Sequence, residues 1–236
     1  MSESNPRLTT LWPAAALRVT AGDLELRWMD DALLARVAEV AGRGVHAPEV
    51  MPFYRPWTTG TPEEVARAVL TFQWAQRAHV SPARLVLELG VLWRGEPVGI
   101  QGASGGQWGI KREVETGSWL GAEFHGRGIG TRMRIMYLAL MFDHLDANYV
   151  TSAAFQDNPS SNAVSRKAGY EPDGLLHDVR ADKPAMLNRW RMSRERWAQV
   201  RDHDLGLLGG DLVVEGAQPV KAQLASVQAD AHGLPD

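Results

Sequence analysis

The sequence predicts an α/β protein with one mixed sheet. Three observations carry that expectation. Apolar alternation and helical spacing give the coarse order β-α-α-β-β-β-α-β-α-β-β. Two β-rich runs, 84–93 and Val98–Ala103, flank Gly95-Glu96-Pro97, which reads as an antiparallel hairpin. A further strand at 113–121 runs into a glycine cluster and a helical period, as a β-α-β unit does. The 236 residues fit one large domain or one domain with an appendage.

The elements follow in order. Residues 1–22 read as a poorly ordered lead-in, and Leu24-Glu25-Leu26-Arg27-Trp28 alternates as a half-buried strand does. Asp30-Asp31 caps a helix whose Leu33, Leu34, Val37 and Val40 recur at helical spacing, with Gly42 as its stop. Residues 43–60 form a long aromatic loop, and loops of this length tend to carry function. Thr61, Pro62 and Glu64 make a capping box with proline at the first helical position. Val65, Val69 and Phe72 mark that helix's buried face. After the glycine cluster, Ile129, Met133, Met136, Tyr137 and Leu140 keep a helical period. Asn148–Ala154 is a strand, Asp157-Asn158-Pro159 starts a helix ending at Lys167-Ala168-Gly169, and strands near 170–179 and 185–192 close the pattern. From about 205 the chain reads as a weakly ordered tail.

Composition excludes several chemistries. With 25 Lys and Arg against 28 Asp and Glu, the net charge of −3 argues against a basic nucleic-acid binder. The chain has no cysteine, which removes disulfides, thiolate zinc sites, iron–sulfur clusters and a cysteine nucleophile. No apolar run approaches the roughly 20 residues that span a bilayer, and no signal segment is visible. A cytoplasmic protein without membrane or nucleic-acid partners is the expectation.

The glycine cluster carries the first chemical signal. Gly126, Gly128 and Gly130 stand between a strand and a helix, where free backbone N–H groups and the helix dipole favour an anion. Thr131 adds a hydroxyl and Arg127 a cation. A Walker A loop would need lysine where Arg132 follows Gly130-Thr131. A dinucleotide fingerprint would need another glycine spacing and an acidic residue ending the next strand. Phosphate binding and simple turn geometry remain as readings of the glycines alone.

Two ordered motifs resemble the GCN5-related N-acetyltransferase (GNAT) superfamily, in its RimJ/RimL-like branch. His125-Gly126-Arg127-Gly128-Ile129-Gly130 is similar to its acetyl-CoA motif, with His125 in place of Gln or Arg. Gly117-Ser118-Trp119-Leu120 precedes it, and Asn158-Pro159-Ser160-Ser161 with Arg166-Lys167-Ala168-Gly169-Tyr170 resembles the second motif. The aromatic segment Met51-Pro52-Phe53 with Pro56-Trp57-Thr58 also looks like this branch. The match covers roughly 23–198.

The resemblance implies a mostly antiparallel twisted sheet with a splayed strand pair, flanked by about four helices. It divides the chain into a lead-in at 1–22, an acyltransferase domain at 23–200 and a tail or small appendage at 201–236. It implies direct transfer of an acetyl group from acetyl-CoA, without metal, to a primary amine of a protein N-terminus or a small molecule; the protein acting as a homodimer is compatible with it. Trp119, Leu120, Gly126, Arg127, Gly128, Ile129, Gly130, Thr131, Asn158 and Ser161 are then the cofactor contacts. Glu115 is the candidate general base. Ser165 stands where many relatives carry the tyrosine that protonates the leaving thiolate, and an ordinary helix-surface serine is its plain alternative. His46, Tyr54 and Trp57 are candidates for the acceptor pocket, beside the polar run His177, Asp178, Arg180, Asp182 and Lys183. A catalytically weak acyl-CoA sensor and an assembly protein built on the tail are the competing classes.

Overall fold

The computed structural model describes residues 6–225. One nine-stranded sheet organises it: β1 (Arg18–Ala21), β2 (Leu24–Trp28), β3 (Arg84–Trp93), β4 (Glu96–Gly106), β5 (Glu113–Leu120), β6 (Tyr149–Phe155), β7 (Glu171–Arg180), β8 (Lys183–Ser193) and β9 (Val213–Glu215). The order across the sheet is β7-β8-β6-β5-β4-β3-β2-β1-β9. Every pairing is antiparallel except β5 with β6. The mixed α/β architecture with a mostly antiparallel sheet is therefore present.

Helices cover both faces. They are α1 (Pro6–Leu11), α2 (Asp31–Gly42), α3 (Pro62–Gln76), α4 (Trp108–Lys111), α5 (Ile129–Ala139), α6 (Pro159–Lys167), α7 (Arg194–Gly206) and α8 (Ala217–Ala225). Met133, Met136 and Tyr137 of α5 pack against Leu85, Leu87 and Leu89 of β3, and the π turn Leu140–His144 extends α5 into the same core. On the opposite face, α2 and α3 enclose Leu33, Val37, Val65 and Val69 with Leu92 and Ile100. The local signals explain these helices. Asp30 accepts from Leu33 N to cap α2, and the capping box Thr61/Glu64 starts α3.

Three expectations about local structure change. The lead-in is ordered from residue 6, and β1 pairs with β2 around Gly22, whose φ of 58° suits a tight turn. The segment after 205 is also built in: β9 pairs with β1, and α8 buries Ala217, Val220 and Leu224. Both segments are short, so alternation within either one carried little signal; their burial depends on each other. In α3 the buried face is Val65, Val69 and Gln73, while Phe72 is exposed. The glutamine turns inward because a carboxylate, Glu88, lies beneath it.

The feature that positions the site is the separation of β5 from β6. They pair only from Glu113↔Tyr149 to Thr116↔Ser152. Beyond that, β5 stays on β4 as far as Leu120, and β6 stays on β8 as far as Phe155. Thr116 Oγ1 donates to the Thr151 carbonyl (2.9 Å) and Thr151 Oγ1 to the Val114 carbonyl (3.3 Å), fastening the last rungs. The β6-facing edge of Gly117–Leu120 is left without a strand partner.

Candidate active site

The glycine cluster follows the end of β5. Gly126 and Gly128 have φ of 74° and 76°, and a Cβ on either would meet nothing within 4 Å. Backbone conformation requires these two glycines, and the space above them is open. No side chain caps α5, so its first N–H groups, beginning near Ile129, Gly130 and Thr131, are available to an anion. Ile129 turns its side chain into the core. Gly130 differs: a Cβ there would lie 3.3 Å from Val164 Cγ2, so it allows α5 to approach α6. The Arg127 guanidinium lies over the Trp93 ring (5.5 Å) and donates to the Glu123 carbonyl (3.3 Å). His125 Nε2 bonds the Leu120 carbonyl at 3.0 Å, tying the loop back to the strand that feeds it.

The second motif forms the start of α6. Asn158 Oδ1 accepts from Ser161 N at 3.1 Å and caps the helix. Ser165 lies on the inner face, 0% exposed, and its Oγ has no partner, which overturns the helix-surface reading. The Tyr170 hydroxyl is likewise buried without a partner, and Tyr170 N donates to the Ser165 carbonyl (3.1 Å).

Across the sheet, strand alternation puts Glu115 on the face of Trp119, away from α5. Glu115 is open to solvent, yet the surrounding protein pushes its carboxyl pKa up; Arg189 opposes this and Glu113 adds to it. The Tyr54 ring packs on Phe155 (5.3 Å). Its hydroxyl is pushed up to about 12, by burial first and then by the nearby Glu115 and Asp178 carboxylates. Trp57 stands between Phe53 (4.9 Å) and Trp119 (5.7 Å), joining the loop to β5. His46 is committed to the loop itself: Nε2 meets Thr58 Oγ1 at 2.7 Å and Nδ1 the Ala47 carbonyl at 2.8 Å. The polar run 177–183 is mostly strand, turning only at Ala181 and Asp182. Arg180 clamps Asp157 at 2.6 Å and reaches the Met51 carbonyl, so the β7–β8 turn, the α6 start and the aromatic loop meet.

Two further groups escaped the sequence reading. Arg134 on α5 is 3% exposed. Its Nε donates to Gln101 Oε1 (3.1 Å), one terminal nitrogen to Ser152 Oγ (3.2 Å) and the other to Ser118 Oγ (3.2 Å). Its guanidinium also lies 5.9 Å from the Tyr170 ring centroid. A charged residue at a core-facing helical position was the available signal. Glu88 on β3 is the second; burial pushes its carboxyl up to about 7 against a bond from the Gln73 amide.

Residues 23–171 match the model of the acetyltransferase (GNAT) domain. The chain belongs to the GNAT acetyltransferase family. A curated relative, "Putative ribosomal N-acetyltransferase YdaF" of Bacillus subtilis (strain 168), is 32% identical over 69 residues, which span 29% of this chain and 38% of that relative. The chain thus matches less than half the length of this curated relative. Among solved structures, Mycobacterium smegmatis RimJ in complex with CoA-disulfide aligns with TM-score 0.65 and 24% identity, covering 83% of this chain and 93% of that one. RimL, a ribosomal L7/L12 alpha-N-protein acetyltransferase in complex with coenzyme A, aligns with TM-score 0.61 and 18% identity, covering 75% and 97%. These likenesses place the β5–β6 opening in a GNAT fold. Among the described residues no cluster of His, Cys, Asp and Glu could hold a metal ion, and no helix is long and apolar enough to cross a membrane.

The candidate residues thus divide by face. The glycine cradle, α6 and Ser165 lie with α5, while Glu115, Tyr54 and Trp57 lie with the aromatic loop. The open space over Gly126 and Gly128, the unpartnered edge of Gly117–Leu120 and the buried unpaired Ser165 hydroxyl suit an extended acyl-CoA.

Proposed function

We propose that this chain transfers the acetyl group of acetyl-CoA to a primary amine, on a protein N-terminus or a small molecule. One observation carries the reading. The free edge of Gly117–Leu120 joins an uncapped, glycine-rich helix start at one end and the Glu115 strand segment at the other. Acetyl-CoA supplies an activated acyl group on a thiol that can leave. The N–H groups from Arg127 to Thr131 hold the pyrophosphate, and the backbone of Ser118 and Leu120, which faces the opening while that of Trp119 pairs with β4, meets the pantetheine amides.

The chain's own groups perform the proton work. An amine entering past Tyr54 meets Glu115, whose raised pKa matches a base that takes a proton and then passes it to water. The C–N bond forms as the C–S bond breaks. The Ser165 hydroxyl, buried and unpaired, donates a hydrogen bond towards the departing sulfur. The RimJ and RimL likenesses favour a protein N-terminus as acceptor, and the aromatic loop tied to the β7–β8 turn by Arg180 is its docking wall.

Serine in place of tyrosine at 165 also suits a module that binds acyl-CoA without turnover. A thiol-release assay over peptides and small amines, run with several acyl-CoAs, separates the two. Amine-dependent release supports transfer; tight CoA binding with no release over the whole panel leaves the sensor reading.

A further inference from the structure

Arg134 is a buried cation with no anion. Among the described residues it is the one arginine or lysine that is buried, and no carboxylate lies within 4.0 Å of it. Its three partners are all neutral: Gln101 from β4, Ser118 from β5 and Ser152 from β6. Desolvating an unpaired guanidinium is costly, and an arriving anion would offset that cost.

The location says which charge. Ser152 belongs to the last β5–β6 rung, and Ser118 lies two residues beyond that rung on β5. One guanidinium therefore holds both lips of the opening at its apex, beside the Tyr170 ring. The free edge spans only Gly117–Leu120, about 13 Å of strand at roughly 3.3 Å per residue. An arm entering from the glycine cradle runs along that edge to its end, where Arg134 stands.

We infer that the charge of Arg134 stabilises the coenzyme A thiolate as it leaves. This rests on the acyl-CoA reading above. When the amine nitrogen takes the acyl carbon, the C–S electron pair stays on sulfur. The amine proton goes to Glu115 and on to water, and the thiolate takes a proton from solvent after release. A serine hydroxyl is too weak an acid to protonate the sulfur in the transition state; a fixed positive charge removes the need. The other titratable groups around the guanidinium are Tyr170 beside it and Tyr137 on its own helix, with Glu88 and Glu115 on the opposite face of the sheet.

The test uses binding, not turnover. Affinities of coenzyme A and of desulfo-coenzyme A are measured by calorimetry on the full chain from pH 6 to 10. Their ratio cancels the titrations common to both complexes and leaves that of the thiol, an alkyl thiol no more acidic than cysteine at about 8.5. The wild type should favour coenzyme A increasingly as pH rises, about tenfold for each unit by which the bound thiol pKa is lowered. Arg134→Gln should flatten the ratio, and Arg134→Lys should keep part of the rise. A ratio independent of pH in the wild type overturns the inference, whether or not Arg134→Gln folds. So does an Arg134→Gln protein that binds desulfo-coenzyme A normally and keeps the full rise. Failure of the wild type to bind either compound overturns the acyl-CoA reading itself, and the inference with it.

Discussion

The carboxyl of Glu88 lies across Gly102, its register partner on β4, in the space a Cβ would need. The absent side chain at 102 makes room for a buried acid on the α3 face, where the Gln73 amide reaches it at 3.5 Å. Burial raises this carboxyl from 4.5 to about 7. The folded state therefore keeps a proton that the unfolded chain releases near 4.5. The contribution of Glu88 to stability is most favourable below that value, falls as pH rises through 4.5 to 7, and is flat above. Glu88→Gln removes this loss. In urea unfolding the variant should gain on the order of 3 kcal/mol over wild type at pH 8 and little at pH 4.5. Equal pH profiles for the two proteins would show that an undetected partner holds Glu88 ionised.

Gly128 and Gly130 should respond in opposite ways. Gly128 sits at positive φ with open space above it, so alanine strains the backbone by about 1–2 kcal/mol without a clash. Gly128→Glu adds bulk and negative charge where the pyrophosphate would rest, and coenzyme A affinity should fall at least tenfold by calorimetry. Gly130→Ala meets Val164 at 3.3 Å instead. It should shift α6 slightly and change thermal stability more than affinity. Unchanged binding by Gly128→Glu would move the cofactor cradle elsewhere.

Signals that act over a few residues were legible. The capping box at Thr61, the Asn158 cap and the burial of Met133, Met136 and Tyr137 follow from spacing alone. The need for glycine at 126 and 128 was legible for the same reason, since positive φ is a local demand. Long-range partners were not legible. β1 and β9 stabilise each other from opposite ends of the chain. Gln73 is buried because Glu88 lies across Gly102, and Ser165 because α6 packs against α5. The Arg134 network draws on three strands that only the finished sheet brings together.

The aromatic loop offers a split between stability and acceptor recognition. Trp57 is half-buried between Phe53 and Trp119, so Trp57→Ala should cost about 2 kcal/mol of stability and raise the acceptor KM together. Tyr54 keeps its proton up to about pH 12, so it presents a neutral hydroxyl beside Glu115 over the working range. Tyr54→Phe should leave the melting temperature and coenzyme A affinity unchanged and raise the acceptor KM several-fold. An unaltered KM across the acceptor panel would take Tyr54 out of the pocket.

Glu115 supplies the most direct kinetic test of the proposed reaction. It faces away from the α5 side, so Glu115→Gln should bind coenzyme A as the wild type does. Loss of a general base costs about 100- to 10,000-fold in kcat. The raised pKa also fixes the sign of the pH profile. The carboxylate is the active form, so the wild-type rate rises with pH through a pKa above the ordinary 4.5 of a free glutamate. Arg189 opposes that elevation, so Arg189→Gln should move the limb further up. Asp173 bridges Arg189 at 3.1 Å, and Asp173→Asn frees the guanidinium to act on Glu115, which should lower the limb. Opposite movements in these two variants, with coenzyme A affinity constant, would tie the acidic limb to Glu115; a limb that stays fixed in both would assign it to the amine or to another group.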